Sequence, residues 1–243
     1  MPIQIIEILG RAEQGVTLPF LCRGDDGNVY FVKGRGAGKR SLIAEYICGR
    51  LALEFGLPVP NIEIVDIPIE LMEWQSAKYK YDLGTGLAFG SRKLEHVQEF
   101  TFSQLPQVDA RLRRDILVFD WWVHNADRTL TALGGNPNLL WDHDKKSLAV
   151  IDHNQAFDIE FNCSIFCHTH VFHADIANVF DDLVEQINYQ DRLSATFAAF
   201  ESICDNIPIE WWQIDDGVPT DFSIDKASAL LKRYLDNQFW RIV

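Results

Sequence analysis

Hydrophobic and polar positions follow two different rhythms along this chain, and the change falls near Gly90. Before it, short β-rich runs dominate. Ile3–Leu9, Gly15–Cys22 and Asn28–Lys33 are apolar runs broken by the turn sequence Gly24-Asp25-Asp26-Gly27, which predicts three strands. The glycine-rich stretch Gly34-Arg35-Gly36-Ala37-Gly38 follows. Ser41–Phe55 then takes helical spacing through Leu42, Tyr46, Ile47, Leu51 and Phe55. Ser41 reads as its N-cap and Gly56 as its C′ residue, with Pro58 and Pro60 preventing continuation. Ile62–Ile67 and Leu87–Phe89 complete a mostly β segment with one helix.

Beyond Gly90 the period lengthens. Val108, Leu112, Ile116, Phe119 and Val123 recur at three- and four-residue intervals, so Gln107–His124 is predicted as a helix. A loop from Asn125 to Pro137 leads into two short strands, Leu139–Trp141 and Leu148–Ile151, around a turn at Asp142–Ser147. Helices are predicted over Ile176–Ile187, Arg192–Cys204 and Ile224–Phe239. The implied architecture is α+β and bilobal, with a smaller β-rich lobe over residues 1–95 and a larger, mainly helical lobe over 96–243.

Composition narrows the partners. A chain of 243 residues with 47 % apolar and 23 % charged residues can bury a full core. Its net charge of −13 argues against a nucleic-acid backbone as partner, since phosphate binding needs a basic surface. It permits an anionic ligand held by a few placed cations and metal ions. No apolar run reaches the roughly 18 residues of a membrane span, so no membrane partner is expected. Met1–Gly10 lacks the basic start and small-residue cleavage site of a leader and reads as a first strand. Five cysteines, an odd number mostly inside apolar runs, suit buried free thiols in the cytoplasm.

The predicted hairpin carries the first candidate chemistry. With Asp142–Ser147 as its turn, antiparallel register sets Asn138 opposite Ile151 and brings Asn138 and Asp152 to its open end, roughly 4.5–7 Å apart at the backbone. An amide oxygen and a carboxylate there suit Mg²⁺, which takes one or two protein oxygens and completes its shell with water and phosphate. Upstream, Asn125-Ala126-Asp127-Arg128 lies on the loop feeding the hairpin, where Asp127 can accept a proton from a substrate hydroxyl. The order catalytic Asp, metal Asn, short hairpin, metal Asp is that of protein kinases. In the first segment Lys33 ends a strand, as a kinase phosphate-binding lysine does. Glu45 has Leu42, Cys48 and Gly49 as its face neighbours, and a carboxylate on such a face needs a partner; Lys33 is the expected one.

Lys33–Ser41 has the placement of a Walker loop but not its residues. Lys33 stands at the first glycine position and Arg40 where Ser or Thr must bind Mg²⁺, so a flexible loop before the helix is the expectation. The covering loop of a kinase belongs instead at Arg11–Pro19, with Gly15 and Thr17 as candidate phosphate donors.

These residues resemble the HipA-like kinases. Phe31-Val32-Lys33, Ala44-Glu45 and Leu51-Ala52-Leu53-Glu54-Phe55-Gly56-Leu57-Pro58-Val59-Pro60 are similar to the family's amino-terminal lobe. Phe119-Asp120-Trp121-Trp122-Val123-His124-Asn125-Ala126-Asp127-Arg128-Thr129, Asn136-Pro137-Asn138-Leu139-Leu140 and Ile151-Asp152-His153-Asn154-Gln155-Ala156-Phe157 are similar to its catalytic segment. The resemblance implies a protein-kinase-like fold and ATP- and Mg²⁺-dependent Ser/Thr phosphorylation. Asp127 would be the base, in a catalytic Asp127-Arg128 pair; Asp152 would be the metal aspartate and Lys33 the phosphate lysine, held by Glu45. Some members are toxins of toxin–antitoxin pairs, which implies an antitoxin-type partner. The chain departs from the pattern in three places: Thr129–Gly135 lengthens the catalytic loop, Thr129 stands where many relatives have His, and His153-Asn154 replaces the Phe-Gly of protein kinases. The family pattern points to Asn136 as metal ligand, the hairpin geometry to Asn138.

A second cluster, Cys163, Cys167, His168, His170 and His173, has zinc-ligand types but no zinc spacing, and interleaved aromatics favour a buried segment beneath the hairpin. A catalytically silent nucleotide-binding scaffold is the alternative to a kinase; a zinc hydrolase built on this cluster is a third.

Overall fold

The computed structural model describes residues 1–12, 18–215 and 217–242. In chain order the elements are β1 (Ile3–Arg11), β2 (Phe20–Gly24), β3 (Val29–Lys33), α1 (Lys39–Phe55), β4 (Ile62–Ile67), α2 (Ile69–Met72), α3 (Ala77–Asp82) and β5 (Gly86–Arg92). Then come β6 (Val97–Glu99), α4 (Ala110–Val123), β7 (Thr129–Thr131), β8 (Gly134–Asn136), β9 (Leu139–Asp142), β10 (Ser147–Val150) and α5 (Cys163–Thr169). The chain ends with α6 (Ala177–Phe180), α7 (Leu183–Phe197), α8 (Phe200–Asp205), β11 (Gln213–Asp215), β12 (Val218–Pro219) and α9 (Ile224–Leu231). No helix among the described residues is long and apolar enough to cross a membrane.

The chain divides into two compact units and crosses between them more than once. The first comprises Met1–Tyr46, Pro60–Glu95 and Ile207–Phe222; the second Ile47–Val59, His96–Asn206 and Ser223–Val243.

The first unit is built on a closed barrel in the order β1-β2-β3-β5-β4, antiparallel except where β1 meets β4. Alternation along the strands sends Ile5, Phe20, Cys22, Tyr30, Val32, Val65 and Ala88 into one core, where Met72 of α2 and Leu83 join them. Lys33 follows Val32 and so leaves the barrel on the opposite face, paired with Phe89 of β5. The glycine-rich stretch, expected as a flexible loop, has regular structure. Arg35–Ala37 forms a 3₁₀ turn laid against the end of α3, with Arg35 N–H bonded to Leu83 O at 3.1 Å. Gly34 is required there because a Cβ would collide with the Leu83 carbonyl.

Helix α1 begins two residues before the expected N-cap. Gly38 O accepts the Leu42 N–H at 3.1 Å, which places Ser41 inside the first turn. Its far end is as expected: Gly56 has φ +90°, and Gly56 and Leu57 donate to Leu53 O and Ala52 O, the paired bonds of a Schellman stop.

In the second unit α4 is the central element, and every residue from Asp115 to Val123 is buried. It starts after Asp109, whose carboxylate accepts from Arg111 and Leu112 N–H, rather than at Gln107. The preceding Phe102–Gln107 is a separate 3₁₀ segment with its own Thr101/Gln104 capping box and an internal Pro106. The indoles of Trp121 and Trp122 donate to Phe239 O and Leu231 O, tying α4 to the carboxy-terminal segment. The two helices predicted over 176–204 are partitioned differently. Asp182 caps α7, which runs unbroken through Asn188–Asp191 to Phe197, and the break falls at Ala198–Ala199.

Candidate active site

Within the first unit, Lys33 Nζ and Glu45 Oε2 lie 2.8 Å apart, with side chains only 10 % and 6 % exposed. The expected ion pair is thus present, and at this depth each charge depends on the other. Gly15 and Thr17, the candidate phosphate donors, lie outside the described residues.

In the second unit the candidates gather around the end of α4. His124 closes the helix in the left-handed conformation, φ 53°, and reverses the chain into Asn125–Arg128. The β9–β10 hairpin has the anticipated register. Val150 pairs with Leu139, and Ile151 N–H bonds Asn138 O at 3.1 Å, so Asn138 and Asp152 adjoin at the open end. Both residues have positive φ, 47° and 58°, the left-handed region that Asn and Asp enter more readily than other non-glycine residues.

The stretch from Asn125 to Pro137, expected as a loop, contains the small β7–β8 hairpin. Thr129 pairs with Asn136, and Leu130–Gly135 turn back on themselves. The extra residues are therefore looped out, and both candidate asparagines return to Asp127. Asn136 Nδ2 and Asn138 Nδ2 each donate to Asp127 Oδ2 at 2.9 Å. Asn136 is exposed and Asn138 half-buried.

Arg128 is grouped with Asp127 by the sequence. Its guanidinium is fully buried and pairs with Asp120. Nε donates to Asp120 Oδ2 at 2.6 Å. Nη1 donates to the carbonyls of Pro137, Asn138 and Ile151. Asp120 also accepts from Asn125 Nδ2 at 2.8 Å and contacts His170 Nε2 at 3.1 Å. Burial alone would raise the Asp120 carboxyl, but Arg128 and the His170 contact outweigh it and hold the group well below the usual carboxylate range. Burial lowers His170, more than Asp120 raises it.

Asp120 and His170 are the residues that sequence reasoning missed. Asp120 had a signal, an acid inside Phe119-Asp120-Trp121-Trp122; His170 had none beyond its place in the Cys/His cluster. That cluster does not act as one. His168 and His173 bond the backbone carbonyls of Ser164 and His170, and Cys163 is exposed where a buried thiol was expected. Among the described residues no group of three or more His, Cys, Asp or Glu could hold a metal ion. Asp175 pairs with Arg113 of α4 at 2.7 Å.

The donors at the hairpin mouth fit a hard divalent cation that keeps most of its shell for water and phosphate. They are all oxygens, and because Asn138 turns its Nδ2 toward Asp127, its Oδ1 lies on the other edge of the amide. A cavity of about 770 Å³ in the first unit is lined by Arg35, Lys39, Lys80 and Glu210 and by none of the candidate residues.

A mixed α+β fold with a kinase-type loop, hairpin and buried Lys–Glu pair defines a protein of the kinase class. Its sequence matches the HipA-like kinase family over residues 5–243, and the chain belongs to that family. Among solved structures it is similar to the crystal structure of a Helicobacter pylori proinflammatory kinase, CtkA. The TM-score is 0.52 and the identity 12 %, over 99 % of this chain and 96 % of that one, a likeness of fold alone. No curated protein matches it in sequence.

Proposed function

We propose that this kinase-family chain is an ATP- and Mg²⁺-dependent phosphotransferase that moves the γ-phosphoryl group to a hydroxyl acceptor, a protein Ser/Thr or a small molecule. The observation that carries the reading is Asp127. Its carboxylate is held by two amides at the mouth of the hairpin that bears Asp152. Both amides use Oδ2, which leaves Oδ1 to accept from the acceptor hydroxyl, orient it and take its proton as the oxygen attacks phosphorus. Asp152 and Asn138 would hold Mg²⁺, which when bound neutralises charge on the phosphates. The bond between Ile151 N–H and Asn138 O favours Asn138 over Asn136, because it keeps Asn138 next to Asp152. Lys33 would bind phosphate oxygens: an ammonium has three donors, so its pairing with Glu45 is compatible with a second partner.

Comparing ATP turnover and thiophosphate transfer to a host lysate by wild type and Asp127→Ala tests the reading. The expected outcome is a loss of about 10²–10⁴-fold in the variant with Mg-ATP binding retained. Equal rates in the two proteins remove Asp127 from the chemistry. If both bind Mg-ATP and neither transfers phosphate, the chain is a silent nucleotide-binding scaffold.

A further inference from the structure

We propose that the Asp120–Arg128 ion pair, anchored by His170, positions the metal-binding end of the site by fixing the carbonyls of Asn138 and Ile151 and so the spacing of Asn138 and Asp152. The proposal rests on the phosphotransferase reading and adds residues to it that touch neither substrate nor metal.

The geometry assigns this role through what Arg128 touches. Among the described residues, apart from Asp120, its guanidinium bonds three carbonyls, those of Pro137, Asn138 and Ile151. Asn138 and Ile151 flank the last rung of the β9–β10 ladder, where Leu139 pairs with Val150. One nitrogen, Nη1, therefore spans both strands at the end where Asn138 and Asp152 project. Those two residues occupy left-handed backbone, which Asn and Asp enter more readily than most side chains, and a contact to the flanking carbonyls fixes it in place. Arg128 is that contact for Asn138, through its own carbonyl, and for Asp152, through the carbonyl that precedes it.

A buried ion pair is weak evidence for stability, since apolar residues of similar volume often replace one without loss; fixing register is its better-attested use. Asp120 holds the guanidinium from the last turn of α4, and His170 holds Asp120 from the segment after α5. The tautomer of His170 follows from its other nitrogen. Nδ1 accepts the Phe172 N–H at 3.1 Å, so Nε2 carries the proton and donates to Asp120 Oδ2. The same segment grips the loop backbone, with Val171 N–H on Arg128 O at 3.0 Å and a β-bridge between Thr129 and His170.

Arg128→Lys keeps the charge beside Asp120 but cannot fork to Nη1's carbonyls. Mn²⁺ binding is read by electron paramagnetic resonance with a non-hydrolysable ATP analogue, alongside thermal unfolding and phosphate transfer. Outer-shell changes typically weaken metal binding about 10–100-fold, and a shift of at least about tenfold in the Mn²⁺ dissociation constant, in protein that still unfolds cooperatively, is the expected result. Unchanged Mn²⁺ affinity in folded Arg128→Lys overturns the proposal, whatever happens to the melting temperature. Should Arg128→Lys not fold, His170→Phe and His170→Gln decide. Phe removes the donor to Asp120 and weakens Mn²⁺ binding, and Gln, which keeps a donor and an acceptor, recovers most of the loss; equal affinities in these two variants overturn the positioning role. Wild type that binds Mn²⁺ and nucleotide without transferring phosphate sinks the phosphotransferase reading, and the Mn²⁺ constants still judge the positioning. Wild type that binds no Mn²⁺ overturns both.

Discussion

Asp120 is fully buried in α4, between Phe119 and Trp121 in sequence, and only its partners make that placement tolerable. Both oxygens are used, Oδ1 by Asn125 and Oδ2 by Arg128 and His170, with the ion-pair side chains at most 1 % exposed. Asp120→Ala would leave the Arg128 guanidinium charged and buried without a counter-ion. Losses of about 3–5 kcal/mol are usual in that situation, and a change of that order in the urea unfolding free energy is expected. A loss below about 1 kcal/mol would mean that water or another carboxylate takes over the guanidinium. The same cost argument made the Lys33–Glu45 pair legible in the sequence, because Glu45 has an apolar face and a lysine stands at the end of the strand before its helix. For Asp120 the cost was equally visible but the partners were not. Arg128 lies beyond the helix end that turns left-handed at His124, and His170 belongs to another element altogether.

Elements were legible where a local rule fixes both ends. The β9–β10 hairpin follows from a polar turn between two apolar runs, and its register carries Asn138 and Asp152 with it. The stop of α1 follows from a glycine before proline. The β7–β8 hairpin was not legible: its rungs Thr129–Asn136, Leu130–Gly135 and Thr131–Gly134 are short and mostly exposed, so no alternation marks them. Gly34–Gly38 was expected as a flexible loop, whereas Arg35–Ala37 forms a 3₁₀ turn and Gly34 serves its contact with α3. Gly34→Ala tests that assignment. Its Cβ would meet the Leu83 backbone, which cannot swing aside as a side chain can. Overpacking of this kind costs about 1–3 kcal/mol, expected as a lowered urea midpoint at unchanged slope. A neutral outcome would show that the turn and α3 separate without loss.

Across the whole molecule, the return of residues 207–222 to the first unit was beyond sequence reasoning. It depends on Trp211 and Glu210, which bond Leu87 O at 3.0 Å and Leu87 N–H at 2.9 Å, contacts more than a hundred residues apart that leave no periodic trace. The charge balance was legible, and with two histidines it sets how stability responds to acid. Burial, with Arg233 nearby, lowers His124 to about 4, and burial lowers His170 as well. Asp158 O faces the His124 ring at Nδ1, Phe161 stacks on it at 4.2 Å, and His170 faces Asp120, Arg128 and His173. In the unfolded chain both titrate near the ordinary value of about 6.5. Between that value and the lowered ones the unfolded state binds protons that the folded state refuses, so stability is complete above about pH 6.5 and falls as pH drops toward 4. Asp120 acts in the same direction lower down. Held ionised in the fold, it contributes above the usual carboxylate pKa of about 3.9 and is lost below it. The net charge of −13 works the other way, because protonating carboxylates relieves repulsion, but few carboxylates titrate between about pH 7 and about pH 5, and the histidines govern that window. The urea midpoint is therefore expected to be lower at about pH 5 than at about pH 7, and His124→Asn, which tolerates the left-handed turn and does not titrate, should narrow the difference. An equal or higher midpoint at about pH 5 would mean that relief of the negative charge outweighs the two buried imidazoles.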